Sequence, residues 1–372
     1  MKKILLITNI IAPYRITMFN EINKQIKGDF CVWFMRETEP NRQWEINYKN
    51  IKFPYTILKG FTINLKYPIK KYLHINPGFY KKLIKYKPDV VIVGGYDSIH
   101  YYLVSRYVKR FDKKLILWVE SHELSSMKNK GLFGKIKNYA VSVADSYIAS
   151  SILAKKYLIS FGAGEKHINI VYNTVDTNIF QKYSNHVFKR INEKNIDNYK
   201  LRKFIYVGQL EERKGLEYGI KALSKIDCDW KLLIIGEGAK RKLLENLVNK
   251  LGIKKKVIFL GFLNREKIAK LYSESDFFLF PTLNDPCPLV VNEALSSGLF
   301  CIISKFAGNA KDFIIEGKNG YTFDPYNIDD IVDKINFALK LKEIDKEFIK
   351  KSIEKASPEN VSKQFLNAIN GQ

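Results

Sequence analysis

Short apolar runs recur along the whole chain, each closed off by glycine, proline or charge, with amphipathic stretches of helical period between them. In the first half the runs are K-I-L-L-I-T from Lys3, F-C-V-W-F-M from Phe30, D-V-V-I-V-G from Asp89, K-L-I-L-W-V from Lys114 and D-S-Y-I-A-S from Asp145. They are continuously apolar rather than alternating, the signature of strands covered on both faces. Residues 14–26, 77–86, 99–109 and 133–143 carry the helical pattern. Strand and helix taking turns in this way predicts parallel α/β sheets.

The same grammar restarts at Lys203. K-F-I-Y-V-G, W-K-L-L-I-I-G, K-V-I-F-L-G, D-F-F-L-F-P and L-F-C-I-I-S read as strands, and nearly all end in glycine or proline. In a doubly wound sheet the ligand lies across the carboxyl ends of the strands, where glycine lets a bulky group approach the backbone. Gly208, Gly236, Gly238 and Gly261 are therefore candidate floor residues. Between the two series, residues 182–202 are polar and lack a core signal, so the domain junction is placed there. The reading is a first Rossmann-like domain over 1–180, a second over 181–356, and a terminal amphipathic helix over 357–372 that crosses back to the first. A length of 372 residues exceeds what a single core usually supports.

Composition narrows the class. No apolar run approaches the roughly 20 residues that span a bilayer, and the opening run is too short and too polar in its sequel for a signal peptide. A cytoplasmic protein is expected. Cys31, Cys228, Cys287 and Cys301 lie far apart without metal-ligand spacing, so neither zinc nor disulfides are expected. The net charge is +24, with 29 basic and 13 acidic residues in the first 180 and 33 and 25 in the remainder. Basic and aromatic residues cluster over 66–87 and 128–137. Such clusters suit an anionic membrane surface, nucleic acid, or simply a solvated helix face.

Candidate chemistry concentrates in D-F-F-L-F-P-T-L-N-D-P-C-P-L-V-V-N-E, residues 276–293. A buried strand ends, a loop delivers Asp285, and a helix begins after Pro286 and Pro288. The unpaired first amides, those of Leu289 and Val290, and the positive end of the helix dipole make this junction an anion site. Glu293 follows eight positions beyond Asp285. After Gly208, the segment Q-L-E-E-R-K-G places Arg213 and Lys214 at another strand end. Two cations and a helix dipole offset most of the charge of a diphosphate without a metal ion. Asp227-Cys228-Asp229 has metal-binding spacing but precedes its strand, at the wrong end of the sheet, and is read as a loop.

The ordered set Y-V-G-Q-L-E-E-R-K-G, L-L-I-I-G-E-G, V-I-F-L-G-F-L, F-P-T-L-N-D-P-C-P-L-V-V-N-E-A-L-S-S-G and E-G-K-N-G-Y-T-F-D-P resembles the donor domain of the retaining GT-B glycosyltransferases of family 4. The opening N-I-I-A-P-Y-R-I-T-M-F-N-E-I resembles members that build surface polysaccharides such as lipopolysaccharide or capsule. The resemblance implies that Glu293 binds the ribose hydroxyls, that Asp285 takes the family's first acidic position near the sugar, and that Lys214 neutralises the donor diphosphate. Gln209 stands where an arginine is usual, and Arg213 is the nearest replacement charge. Leu263 falls where the backbone meets the base. In the first domain Glu120 takes the register position of the family's histidine, which lies close to the sugar, with His122 two residues on, and the choice between them as the catalytic group stays open. The family's paired glycines in the first loop are replaced by residues 10–13.

The implied function is transfer of a sugar, with retention of configuration, from a UDP- or GDP-linked donor to a glycan or lipid-linked acceptor. No cofactor or metal is implied, nucleic acid is not expected as a partner, and peripheral contact with an anionic membrane through the first domain is an open expectation. Two rivals are a GT-B sugar-nucleotide epimerase and, from another class, a basic nucleic-acid-binding protein.

Overall fold

The computed structural model describes all residues except 1, 27, 41–45, 66–70, 97, 124–130, 184–200 and 372, with backbone alone at 71 and 131–133. The chain divides into two compact units, Met1–Thr174 with Pro358–Gln372, and Val175–Ser357. Phe180, grouped with the first domain by sequence, is fully buried and packs its ring on Tyr272 of the second unit. Most of the polar stretch read as the junction lies outside the described residues.

The first unit is built on a sheet of seven parallel strands. They are β1 (Lys3–Thr8), β2 (Asp29–Phe34), β3 (Tyr55–Ile57), β6 (Val90–Gly94), β7 (Lys114–Val119), β8 (Ser146–Ala149) and β9 (Ile168–Ile170). Their spatial order is β3-β2-β1-β6-β7-β8-β9. Side chains alternate across the sheet, so Leu5, Ile7, Val91, Val93, Leu117 and Val119 share one face. The helices Phe79–Tyr86, Ile99–Phe111, Gly131–Val143 and Ile152–Ser160 cover that face and form one core with it.

The opposite face receives the helices Pro13–Gln25 and Pro358–Asn370, which pack on each other. Trp118 meets Phe365 edge to face at 5.9 Å. Gln25 Nε2 donates to Ser362 Oγ at 2.7 Å, and Lys114 Nζ donates to the Ile369 carbonyl at 3.0 Å. The terminal segment thus returns to the first domain, as its amphipathic pattern implied, because only there does its apolar stripe find cover.

The stretch 66–87 is not a single helix face. Residues 66–70 lie outside the described residues, Lys71–Ile75 forms β5, and β5 pairs antiparallel with β4 (Phe61–Leu65) in a separate hairpin. Only Phe79–Tyr86 is helical there. Cys228, which adjoins an apolar run, is exposed because it lies in the loop before the strand rather than within it.

The second unit has a six-stranded parallel sheet of β10 (Arg202–Val207), β11 (Trp230–Ile235), β12 (Val257–Gly261), β13 (Phe277–Phe280), β14 (Phe300–Ser304) and β15 (Gly320–Phe323). The order is β12-β11-β10-β13-β14-β15. Strand order reverses between β10 and β13, and in the first unit between β1 and β6. Aromatic rings fill the interior: Phe204 stacks on Phe277 at 5.1 Å and Tyr206 on Phe280 at 6.1 Å. Among the described residues no helix is long and apolar enough to cross a membrane.

Phe365→Ala removes a fully buried ring from the return helix, and a loss of about 3 to 5 kcal/mol of stability is expected. Urea unfolding measures it; a loss below about 1 kcal/mol would contradict the tight docking of this helix on Trp118.

Candidate functional site

The reversal between β10 and β13 is where a parallel sheet opens a crevice at its carboxyl edge. Two loops meet there and are tied together by one carbonyl. Thr282 Oγ1 at 3.1 Å, Leu283 N at 2.8 Å and Asn284 N at 3.2 Å all donate to the oxygen of Arg213. Gly215 makes this approach possible. Its φ is +58°, and a Cβ there would sit 2.3 Å from the Pro281 carbonyl oxygen.

Lys214 is thereby held inside the loop junction, only 7% exposed. Its ammonium pairs with Asp285 Oδ2 and lies 5.1 Å from the centre of the Phe280 ring. Burial pulls the lysine pKa down while Asp285 pulls it back up, and burial dominates. Arg213 is more exposed. Its Nη2 donates to Gln209 Oε1 at 3.0 Å, its Nε to Glu211 at 3.0 Å, and its Nη1 is 4.0 Å from Asp285. The guanidinium therefore lies against the glutamine that stands in the usual arginine position. The backbone of Asp285 is anchored in turn, its carbonyl accepting from Gly308 N at 2.8 Å.

The helix Leu289–Ser296 starts at Pro288 with no side-chain cap. The first amides, on Leu289 and Val290, have no acceptor within the helix. Asn309 fixes this terminus. Fully buried, its Nδ2 donates to the Pro288 carbonyl at 3.1 Å and to Asn292 Oδ1 at 3.0 Å. Sequence reasoning did not single out Asn309, because nothing in F-A-G-N-A-K-D announces a partner some twenty residues back.

Glu293, one turn into the helix, is 8% exposed. Burial raises its pKa to about 7, and Arg265 works against the rise. Glu293 also contributes to the raised pKa of the buried Tyr272 hydroxyl. Leu263 follows Gly261 at the end of β12, half-buried, beside a Phe262 that is 64% exposed.

Gly236 has a packing function in addition to its place at a strand end. Its amide donates to Gly261 O at 2.8 Å, and a Cβ would lie 2.0 Å from Gly208 O. Three strand-end loops meet on it, and that N–H is already engaged. Asp227 and Asp229 precede β11, at the opposite end of the sheet from this junction. Among the described residues no group of three or more His, Cys, Asp or Glu converges as a metal site would.

The first unit has its own crevice at the reversal between β1 and β6. A cavity of about 220 Å³ is lined there by Thr8, Arg15, Glu39, Tyr96, Trp118 and Glu120, among others. Arg15 Nη2 reaches Glu120 Oε1 at 2.5 Å and its Nη1 reaches Thr8 Oγ1 at 2.9 Å, while the guanidinium lies 4.7 Å from the Trp118 ring centre. Asn173 Nδ2 donates to Glu120 at 2.9 Å. Of the two candidates left open by sequence, Glu120 lines the cavity. His122 is buried and does not line it.

Residues 187–355 match the family described as glycosyl transferases group 1. An uncharacterized glycosyltransferase of Methanocaldococcus jannaschii is 35% identical over 44% of this chain and 43% of its own length. A second from the same organism is 30% identical over 59% and 56%. The chain thus spans about half the length of these two curated relatives. A lipopolysaccharide 1,6-galactosyltransferase of Salmonella typhimurium is 24% identical over 91% of this chain and 88% of its own. Among solved structures, a lipopolysaccharide outer core galactosyltransferase superposes with a TM-score of 0.76 at 22% identity, covering 99% of both chains. An Anabaena protein solved with UDP gives 0.75 at 15% identity over 100% of both. These likenesses establish the fold as two Rossmann-like domains of the GT-B type.

Glu293 carries a testable cost. A carboxyl that titrates near 7 when folded and at 4.5 when unfolded destabilises the folded state increasingly as pH rises between those values, by up to about 3 kcal/mol. Glu293→Gln is expected to be more stable than the parent at pH 8 and equal to it near pH 4.5. Thermal unfolding across that range measures this; a pH-independent difference would contradict it.

Proposed function

We propose that this chain, whose second domain matches the group 1 glycosyltransferases and whose fold is GT-B, transfers a sugar from a nucleoside-diphosphate sugar to a glycan or lipid-linked acceptor with retention of configuration. One observation carries the reading: a buried lysine paired with an aspartate, lying in the strand-order crevice of a domain whose neighbouring loop opens an uncapped helix. The same crevice thus offers a cation, a helix dipole and open amides, a set suited to a diphosphate.

In this account the donor's diphosphate takes over Lys214 from Asp285, and the amides of Leu289 and Val290 meet its oxygens. Arg213, reaching across Gln209, adds charge on the exposed side. Glu293 accepts hydrogen bonds from the two ribose hydroxyls, a task suited to a carboxylate with two oxygens. Leu263 borders the base. Asp285, released from the lysine, turns to the hydroxyls of the sugar. Departure of the nucleoside diphosphate develops negative charge, which Lys214 and the helix terminus stabilise without reorganising. The acceptor hydroxyl attacks the anomeric carbon on the face the phosphate leaves, and the departing phosphate oxygen takes its proton. No metal ion is required by this set of groups.

The first-domain cavity, with Glu120 held by Arg15 and Asn173, is the proposed place for acceptor hydroxyls. The structural neighbour solved with UDP favours a uridine donor. The galactosyltransferase relatives favour a role in cell-surface polysaccharide synthesis, on the cytoplasmic side where sugar nucleotides are made. The relatives named above are transferases, which favours transfer over the epimerase and nucleic-acid-binding readings.

Lys214→Ala and Glu293→Ala are each expected to lower transfer on the order of a hundredfold or more while cooperative unfolding persists. Release of nucleoside diphosphate from UDP- and GDP-sugars, with lipid-linked glycan acceptors present, measures the loss. Full activity in either variant would refute the assignment. Chelation with EDTA is expected to leave the rate unchanged; a loss restored by magnesium would refute metal-independent transfer.

A further inference from the structure

The +24 charge is not spread evenly over the molecule. The four helices that cover one face of the first sheet, Phe79–Tyr86, Ile99–Phe111, Gly131–Val143 and Ile152–Ser160, contain no aspartate or glutamate at all. Of the other described α-helical segments, in both domains, all contain at least one except the short run 177–183. A lysine-rich composition would raise basic residues everywhere. It would not strip acids from four neighbouring helices and spare the two on the opposite face of the same sheet.

Lys81, Lys82, Lys85, Arg106, Lys109 and Arg110 are all exposed on this layer, as are Lys135 and Lys156. None of the eight is ion-paired among the described residues, whereas Lys155 pairs with Glu165 and Lys113 with Asp89 at the layer's margin. Several lie instead against aromatic rings: Arg106 over Tyr80 at 5.6 Å, Lys109 over Tyr139 at 5.5 Å. Tyr139 stacks on Tyr102 across two helices. Large apolar side chains stand exposed in the same layer: Ile99, Phe111, Tyr139 and Ile159.

We infer that this helix layer is a docking face for an anionic phospholipid bilayer. Basic residues attract acidic headgroups at about a factor of five in affinity each near the surface, and interleaved aromatic and aliphatic groups enter the headgroup boundary. Isoleucines find no use against a phosphodiester chain, which is why lipid is favoured over nucleic acid. The inference does not depend on the transferase reading, and neither does its test.

Flotation of the full chain with vesicles of phosphatidylcholine, with and without phosphatidylglycerol, is the experiment. Binding is expected only with phosphatidylglycerol and is expected to be released by high salt. Combined Lys81→Glu, Lys85→Glu, Arg106→Glu and Lys109→Glu should lower partitioning more than about tenfold. Combined Lys242→Glu, Lys250→Glu, Lys254→Glu and Lys255→Glu, the same charge change on the second domain, should lower it less than about twofold. Circular dichroism and cooperative melting confirm that both variants fold. Absence of binding to anionic vesicles, equal loss in the two variants, or displacement of bound vesicles by single-stranded RNA would each overturn the proposal.

Discussion

The buried pair of Lys214 and Asp285 is the constraint on which the second domain's chemistry turns. An ammonium with 7% exposure is tolerable only beside a fixed counter-charge, and removing one partner of such a pair typically costs about 3 to 5 kcal/mol. The surrounding structure serves to keep the two together. The carbonyl of Arg213 gathers three donors from the loop after β13, Gly215 permits the close approach, and the backbone of Asp285 is pinned by Gly308. A ligand that supplies its own negative charge at this point replaces Asp285 rather than paying to bury a new ion. In the proposed donor site, that exchange is what would favour a diphosphate.

Both domains place their polar groups by the same rule. Where strand order reverses, adjacent loops leave in opposite directions and a crevice opens at the carboxyl edge. In the second domain it holds Lys214, Asp285 and the start of the helix Leu289–Ser296. In the first it holds the Arg15–Glu120 pair over the Trp118 ring. Each crevice thus contains a partly buried carboxylate fixed by a cation. Glu293 shows the energetic tension: a carboxyl kept where burial raises its pKa to about 7 is poorly placed for stability, as groups reserved for a ligand often are.

Much of this was legible in the sequence. Strands β1, β6, β7, β10, β11 and β13 announced themselves because parallel strands covered on both faces are continuously apolar. The strand-loop-helix junction at 276–293 was legible because proline and a buried apolar run have local meanings. The hairpin of β4 and β5 was not, since Phe61 to Leu65 is half-exposed and reads as neither buried strand nor helix. Glu120 and His122 lie two apart and share a side in an extended chain, so only tertiary burial separates them. Asn309 acts on a helix terminus remote in sequence. The acid-free helices could be read one by one, but not that packing would set them side by side.

The most direct measurement is the affinity of a nucleoside diphosphate against its nucleoside, for the parent chain and for Lys214→Ala, by titration calorimetry with the uridine and guanosine pairs. If Lys214 exchanges Asp285 for the diphosphate, the parent prefers the diphosphate strongly and the variant loses most of that preference while still binding the nucleoside. An unchanged preference in the variant would contradict the account.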